Sequence, residues 1–279
     1  MTDRRQGDHG KSIASDRGAL GEPGIGATFG MLVLLLIALG IGEGLAAATL
    51  PESVSATSRM LLALCLAWPL VLFAAYRLNR RSLRNTFGLH AVSAAVLALT
   101  VLAAITMAVT LLGMVTWIPT PPPESVAEYH DTMSAANRTA LLLAMLIVAP
   151  VFEELFFRGW MLPIWVNRYG PAVGIVVVAL LFSLLHLAGW KILVAFPIGL
   201  LLGWLAVRLE SVLPAILGHA ASNAGPFALD AALRISGLSK AEIEALDSVP
   251  LWIPVIMFAV GAAALIGLVK LTKRDRSPD

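Results

Sequence analysis

Polar and apolar positions in this chain do not alternate; they separate into long apolar runs joined by short polar breaks. Eight runs approach the about 20 residues needed to cross a hydrocarbon layer as a helix: 25–50, 60–76, 90–117, 139–166, 171–189, 192–208, 211–229 and 250–271. Lipid leaves only helices and closed barrels as spanning structures, and these runs are too long and continuous for barrel strands. The pattern therefore predicts an all-α polytopic transmembrane bundle of about eight spans. It occupies 25–271, after a polar tail (1–24) and before a short basic tail (272–279). Pro197 and Pro214 are expected to kink the sixth and seventh spans. Gly199 and Gly203 read as a small-residue seam for helix packing.

Positive charge sets the expected orientation. With eight spans, only Arg59, Arg138, Lys191, Arg234 and Lys240 of the 20 lysines and arginines fall on one side. The remainder sit on the side of both termini, which the positive-inside rule makes cytoplasmic. A basic connection at 77–89 is suited to anionic headgroups. The opposite loop, 118–138, carries Pro119, Pro121, Pro122 and Pro123 and is expected to be stiff and extended. Segment 230–249 reads as a short interfacial helix capped by Ser239.

Composition agrees: 58% of residues are hydrophobic and 14% charged, against about 25% charged in soluble domains. A net charge of +2 with no basic, aromatic-interleaved stripe gives no nucleic-acid partner. One cysteine, Cys65, excludes an intrachain disulfide and any cysteine-built zinc site. The expected setting is an integral, multi-pass protein, of a size suited to a bacterial cytoplasmic membrane.

Three greasy segments nevertheless carry ionisable or amide side chains: Glu153, Glu154 and Arg158 in VFEELFFR, His186 after Phe182 in FSLLH, and His219 and Asn223 in GHAASN. Such groups are costly in a membrane and mark function by default. Glu154 and Arg158, four apart, share a helix face and can pair. Glu153 points away from that pair and is free to act as a general base. At about 1.5 Å per residue, the three segments place their polar groups at overlapping depths, provided the fourth span continues past Arg158. A hydrolytic site inside the bilayer is the reading that joins them.

The ordered set Glu-Glu-x-x-x-Arg, Phe-x-x-x-His and His-x-x-x-Asn, on three successive late spans, resembles the CAAX-protease and bacteriocin-processing (CPBP, also called Abi) family of intramembrane endopeptidases. The resemblance covers a core of about 139–229. It implies peptide-bond hydrolysis within the membrane, near the substrate's C-terminus in the eukaryotic prenyl-protein branch. Glu153 matches the catalytic glutamate, Glu154 and Arg158 complete the first motif, Phe182 and His186 form the second, and His219 and Asn223 the third. The implied mechanism has Glu153, oriented with His186, activating water. His219 and Asn223 then donate to the oxyanion, and Phe182 shapes the wall against which substrate sits. No cofactor is the favoured expectation. The alternative is a zinc ion on Glu153, His186 and His219, a His₂Glu set without an HExxH sequence. The expected substrate is a peptide or small membrane protein, with or without a lipid group. A catalytically silent membrane adaptor and a proton-relay transporter are the competing classes. The intact polar set disfavours the first, and the lack of visible internal repeats disfavours the second.

Overall fold

The computed structural model describes residues 23–51, 53–79, 82–118, 135–186, 189–239, 242–243, 246 and 248–274. The polar N-terminal tail and the proline-rich stretch of the 118–138 loop lie outside the described residues. Among those described there is no strand, and the architecture is an all-α bundle. In chain order the helices are α1 (Ile25–Thr49), α2 (Ala56–Asn79), α3 (Leu83–Phe87) and α4 (Ala94–Val115). A continuous rod, α5, follows over 135–169. It is assembled from α-helical Ala135–Leu143, π-helical Ala144–Val148, α-helical Ala149–Glu154, π-helical Leu155–Met161 and α-helical Leu162–Tyr169. Then come α6 (Pro171–Leu184), α7 (Gly189–Leu209), α8 (Leu213–Asn223), α9 (Gly225–Ile235) and α10 (Trp252–Arg274).

Six of these are long and apolar enough to cross a membrane: α1, α2, α4, α5 from Thr139, α7 and α10. The fifth and seventh expected spans differ. α6 has 14 residues, about 21 Å of helix against a hydrocarbon core of about 30 Å. The seventh is split into α8 and α9, of 11 residues each, at Ala224. Pro226, in the first turn of α9, has no N–H with which to continue the helix. Pro214 likewise opens α8 and does not kink it, since proline is tolerated where the N–H has no intrahelical partner. Pro197 does lie inside its helix, α7.

The 90–117 run begins as a helix only at Ala94, where Ser93 accepts a hydrogen bond from the Val96 N–H. The basic connection contains the short α3, capped by Ser82 and closed by Gly88 in the left-handed conformation (φ 64°). Its end is tied to the α7–α8 turn, because Gly88 O accepts from Val212 N and His90 O from Ser211 Oγ. Ser239 and Glu242 form the reciprocal contacts of a capping box, although most of the helix they would begin lies outside the described residues.

Lipid tails are as apolar as leucine, so packing rather than water exclusion holds such helices together. One core joins α1, α2, α5 and α6 through Trp68, Phe156, Phe157, Trp160 and Phe182. α4 packs against α7, α8, α9 and α10. Small residues allow the close approaches nearest the polar motifs. A Cβ on Gly159 would stand 2.8 Å from the carbonyl oxygen of Phe87, and one on Gly218 2.6 Å from Leu202 Cδ2. The residue beside Arg158 and the residue beside His219 are thus the points where α3 and α7 press onto the site's own helices.

Candidate active site

The two glutamates lie at the end of the α-helical piece of α5, between its two π-helical pieces. A π-helix widens the turn by closing i→i+5 rings, and such turns recur at functional sites. Glu154 is fully buried, while Glu153 keeps 22% of its side chain exposed. The pair expected from the sequence is present: Arg158 Nη1 donates to Glu154 Oε1 at 2.9 Å. The same oxygen accepts from His219 Nδ1, also at 2.9 Å, across 65 positions of sequence. Glu154 therefore joins α5 to α8 and does more than fix its own helix.

Holding Nδ1 on Glu154 turns the other ring nitrogen of His219 toward Glu153, with Nε2 to Oε2 at 3.9 Å. That gap is too long for a direct hydrogen bond and short enough for one water bonded to both at about 2.8 Å. His186 sits in the turn after α6, where Nδ1 donates to the Phe182 carbonyl at 3.2 Å. A carbonyl only accepts, so Nδ1 carries the proton and Nε2 is left for other chemistry.

Phe182 is the hub of the aromatic wall. Its ring centroid is 5.1 Å from His186, 5.4 Å from His219 and 5.4 Å from Phe157, each edge-on. The Arg158 guanidinium lies over its face at 4.4 Å, a cation–π contact that gains strength away from water. Arg158 Nη2 also donates to the Gly199 carbonyl at 3.3 Å. A Cβ on Gly199 would lie 3.2 Å from that same nitrogen. Gly199 thus belongs to the packing seam read from sequence and is also an acceptor for the site. Nothing in the sequence spacing marked its carbonyl.

Asn223 is placed differently from the expectation of a free oxyanion donor. Its Nδ2 donates to the Met145 carbonyl at 2.8 Å, bracing α8 against the first π-helical piece of α5. Among the described residues, its second amide hydrogen and its amide oxygen have no hydrogen-bond partner. Glu153 and His186 line a cavity of about 180 Å³ together with Leu35, Leu36, Leu39, Leu64, Trp68, Phe157, Phe182 and Leu185. The α1 and α2 members of that wall were missed from the sequence, since leucines in a span look alike whether they face lipid or a cavity.

Residues 135–225 match the family described as Type II CAAX prenyl endopeptidase Rce1-like. This segment, about a third of the chain, is what the chain shares with the CAAX protease family. The Rce1-like segment contains all seven motif residues, from Glu153 to Asn223. The match supports a protease of the CAAX intramembrane class, and six helices long and apolar enough to cross a membrane support an integral membrane protein. α1, α2, α4 and α10 lie outside the match. No curated protein and no solved structure matches the chain.

The zinc alternative asks whether Glu153, His186 and His219 fit a metal. Among the described residues no group of three or more His, Cys, Asp or Glu side chains is arranged to hold one. The hydrogen bond from His219 Nδ1 to Glu154 leaves Nε2 open and does not itself bear on the question, since metal-bound histidines make the same contact. The three do not, as placed, form a His₂Glu set.

Proposed function

We propose that the protein is an intramembrane endopeptidase in which Glu153 activates the attacking water, with both chain termini on the cytoplasmic side. The observation that carries this reading is the position of Glu153 Oε2, 3.9 Å from a His219 ring that Glu154 holds in orientation. A water between them gives a proton to Glu153 as its oxygen bonds to the scissile carbonyl carbon. The tetrahedral oxyanion receives hydrogen bonds from the second Asn223 amide hydrogen and from His219 when Nε2 is protonated, a charge that Glu154 balances. As the C–N bond breaks, Glu153 returns the proton to the leaving amine. His186 stands on the same cavity wall and orients the carboxylate and water. Preorganised donors of this kind act most strongly where water is excluded. No metal enters these steps.

The test is cleavage of quenched fluorescent peptides, some lipidated, by purified protein in detergent or liposomes, beside Glu153→Gln and a chelator. Cleavage abolished in the variant and retained in chelator is expected. Loss in chelator with recovery on added zinc would overturn the metal-free route. Activity undiminished in Glu153→Gln would remove Glu153 from the chemistry.

A further inference from the structure

We infer that the open cavity where the start of α1 meets the end of α5 binds the phosphate-bearing headgroup of an anionic membrane lipid. The recess has a volume of about 520 Å³, with Gly24 and Ile25 on one side and Ile164, Asn167, Arg168 and Tyr169 on the other. That lies within the about 300–1,000 Å³ of small-ligand sites. No carboxylate is among the described residues that line it. Arg168 is exposed there and enters no ion pair among the described residues. The planar fork of an arginine matches a phosphate with two parallel hydrogen bonds, and the Tyr169 hydroxyl adds a further donor. Opposite Arg168, Gly24 stands at the N-cap of the 25-residue α1 and supplies no side-chain acceptor. The positive end of that helix dipole is therefore uncapped and favours an anion. A Cβ on Gly24 or Gly26 would meet nothing within 4 Å, so this backbone is open to an approaching group.

The surroundings select a lipid over a free anion. Apolar surface continues from the recess along the span: Phe29, one turn into α1, is 47% exposed and meets Trp165 edge-on with ring centroids 6.1 Å apart. Trp165 and Tyr169 are ring neighbours at 5.6 Å, and such aromatic residues collect at headgroup level. A headgroup over Arg168 thus runs on into acyl chains along Phe29. Basic pockets between spanning helices at the cytoplasmic face hold anionic headgroups, and the proposed orientation puts this end of α5 at that face. The bound lipid joins Arg168, on the helix that carries the two glutamates, to the start of α1, where Trp165 Nε1 already donates to Thr28 Oγ1 at 3.3 Å. The inference stands on the membrane setting of the chain and not on peptide-bond cleavage, so the two stand or fall separately.

The full chain in detergent is titrated with phosphatidylglycerol or phosphatidylcholine, and retained lipid is counted by native mass spectrometry. Phosphatidylglycerol is expected to fill a first site about 10-fold or more tighter than phosphatidylcholine, the scale of a hydrogen bond to a charged group. Arg168→Gln is expected to remove that preference. Arg84→Gln, at an exposed arginine of α3 outside the recess, is expected to keep it. Gly24→Asp is expected to remove the preference too, because its carboxylate takes the helix start, and to raise the midpoint of thermal unfolding by capping α1. A misfolded variant cannot lose the lipid and gain stability together, so this variant decides the matter if Arg168→Gln folds poorly. Inorganic phosphate at the same concentration as the lipid is expected not to displace it. No preference for phosphatidylglycerol, equal losses in Arg84→Gln and Arg168→Gln, or a preference that Gly24→Asp retains would each overturn the site in favour of general surface charge. Displacement by inorganic phosphate would overturn the lipid assignment and leave a site for soluble anions.

Discussion

His219 Nδ1 lies 2.9 Å from Glu154 Oε1, and that contact aims the opposite face of the imidazole at Glu153. Two adjacent glutamates thereby take unlike positions. Glu154 is buried between Arg158 and His219, while Glu153 faces the cavity. Replacing them should have opposite signatures. Glu153→Gln is expected to lower kcat by about 10²–10⁴-fold, the usual contribution of a general base, with little change in unfolding. Glu154→Ala removes the shared acceptor of two buried donors and is expected to cost about 3–5 kcal/mol of stability, as breaking a buried charge pair does. Reversible unfolding in bicelles beside peptide cleavage reads both.

Arg158 serves three unlike partners among its contacts: a carboxylate on Glu154, the Gly199 carbonyl and, most closely of the rings it lies over, the face of Phe182. Lysine keeps the charge but has no planar fork to serve all three. Arg158→Lys is expected to lose about 10-fold or more in kcat/KM, with a lowered midpoint of thermal unfolding. A variant indistinguishable from wild type in both would reduce Arg158 to a point charge.

Gly159 lets α3 dock on the second π-helical piece of α5. The Phe87 carbonyl that a Cβ would meet at 2.8 Å is backbone and cannot swing aside. Gly159→Ala is expected to cost about 1–3 kcal/mol through overpacking and to lower activity by shifting neighbouring Arg158. Activity that survives a measured loss of stability would show that α3 is a support only.

Asn223 braces α8 on the Met145 carbonyl, and membrane hydrogen bonds of this sort average about 0.6 kcal/mol. A loss of oxyanion stabilisation is larger, about 10²-fold or more in kcat. Asn223→Ala is therefore expected to slow turnover far more than it weakens folding. A drop in activity no greater than about threefold, the kinetic equivalent of that brace, would assign Asn223 to packing.

Much of the site was legible because helical spacing is a local property. Glu154 and Arg158, four apart, pair as the periodicity requires, and Phe182 and His186, four apart, have their rings in contact. The continuation of α5 past Arg158, on which the shared depth of the motifs depended, is also present, since the rod runs on through Trp165 to Tyr169. Less legible were the helix ends. His90 lies before its helix and not in it, because Ser93 supplies the cap, and the run around Asn223 breaks at Ala224, because Pro226 cannot continue the hydrogen-bond ladder.

The sequence by itself determined an all-α membrane bundle, the resemblance of its 135–225 segment to the CAAX protease family and the seven polar and aromatic positions that carry the motif. Each of these follows from composition, from run length or from separations of a few residues along one helix. Tertiary structure alone decided that Glu154 serves His219 as well as Arg158, that Gly199 contributes a carbonyl, and that Leu35, Leu39, Leu64 and Trp68 close the cavity beside Glu153. These contacts join residues tens of positions apart. Periodicity fixes which face of a helix a residue occupies, but only the packing of one helix on another fixes what that face meets.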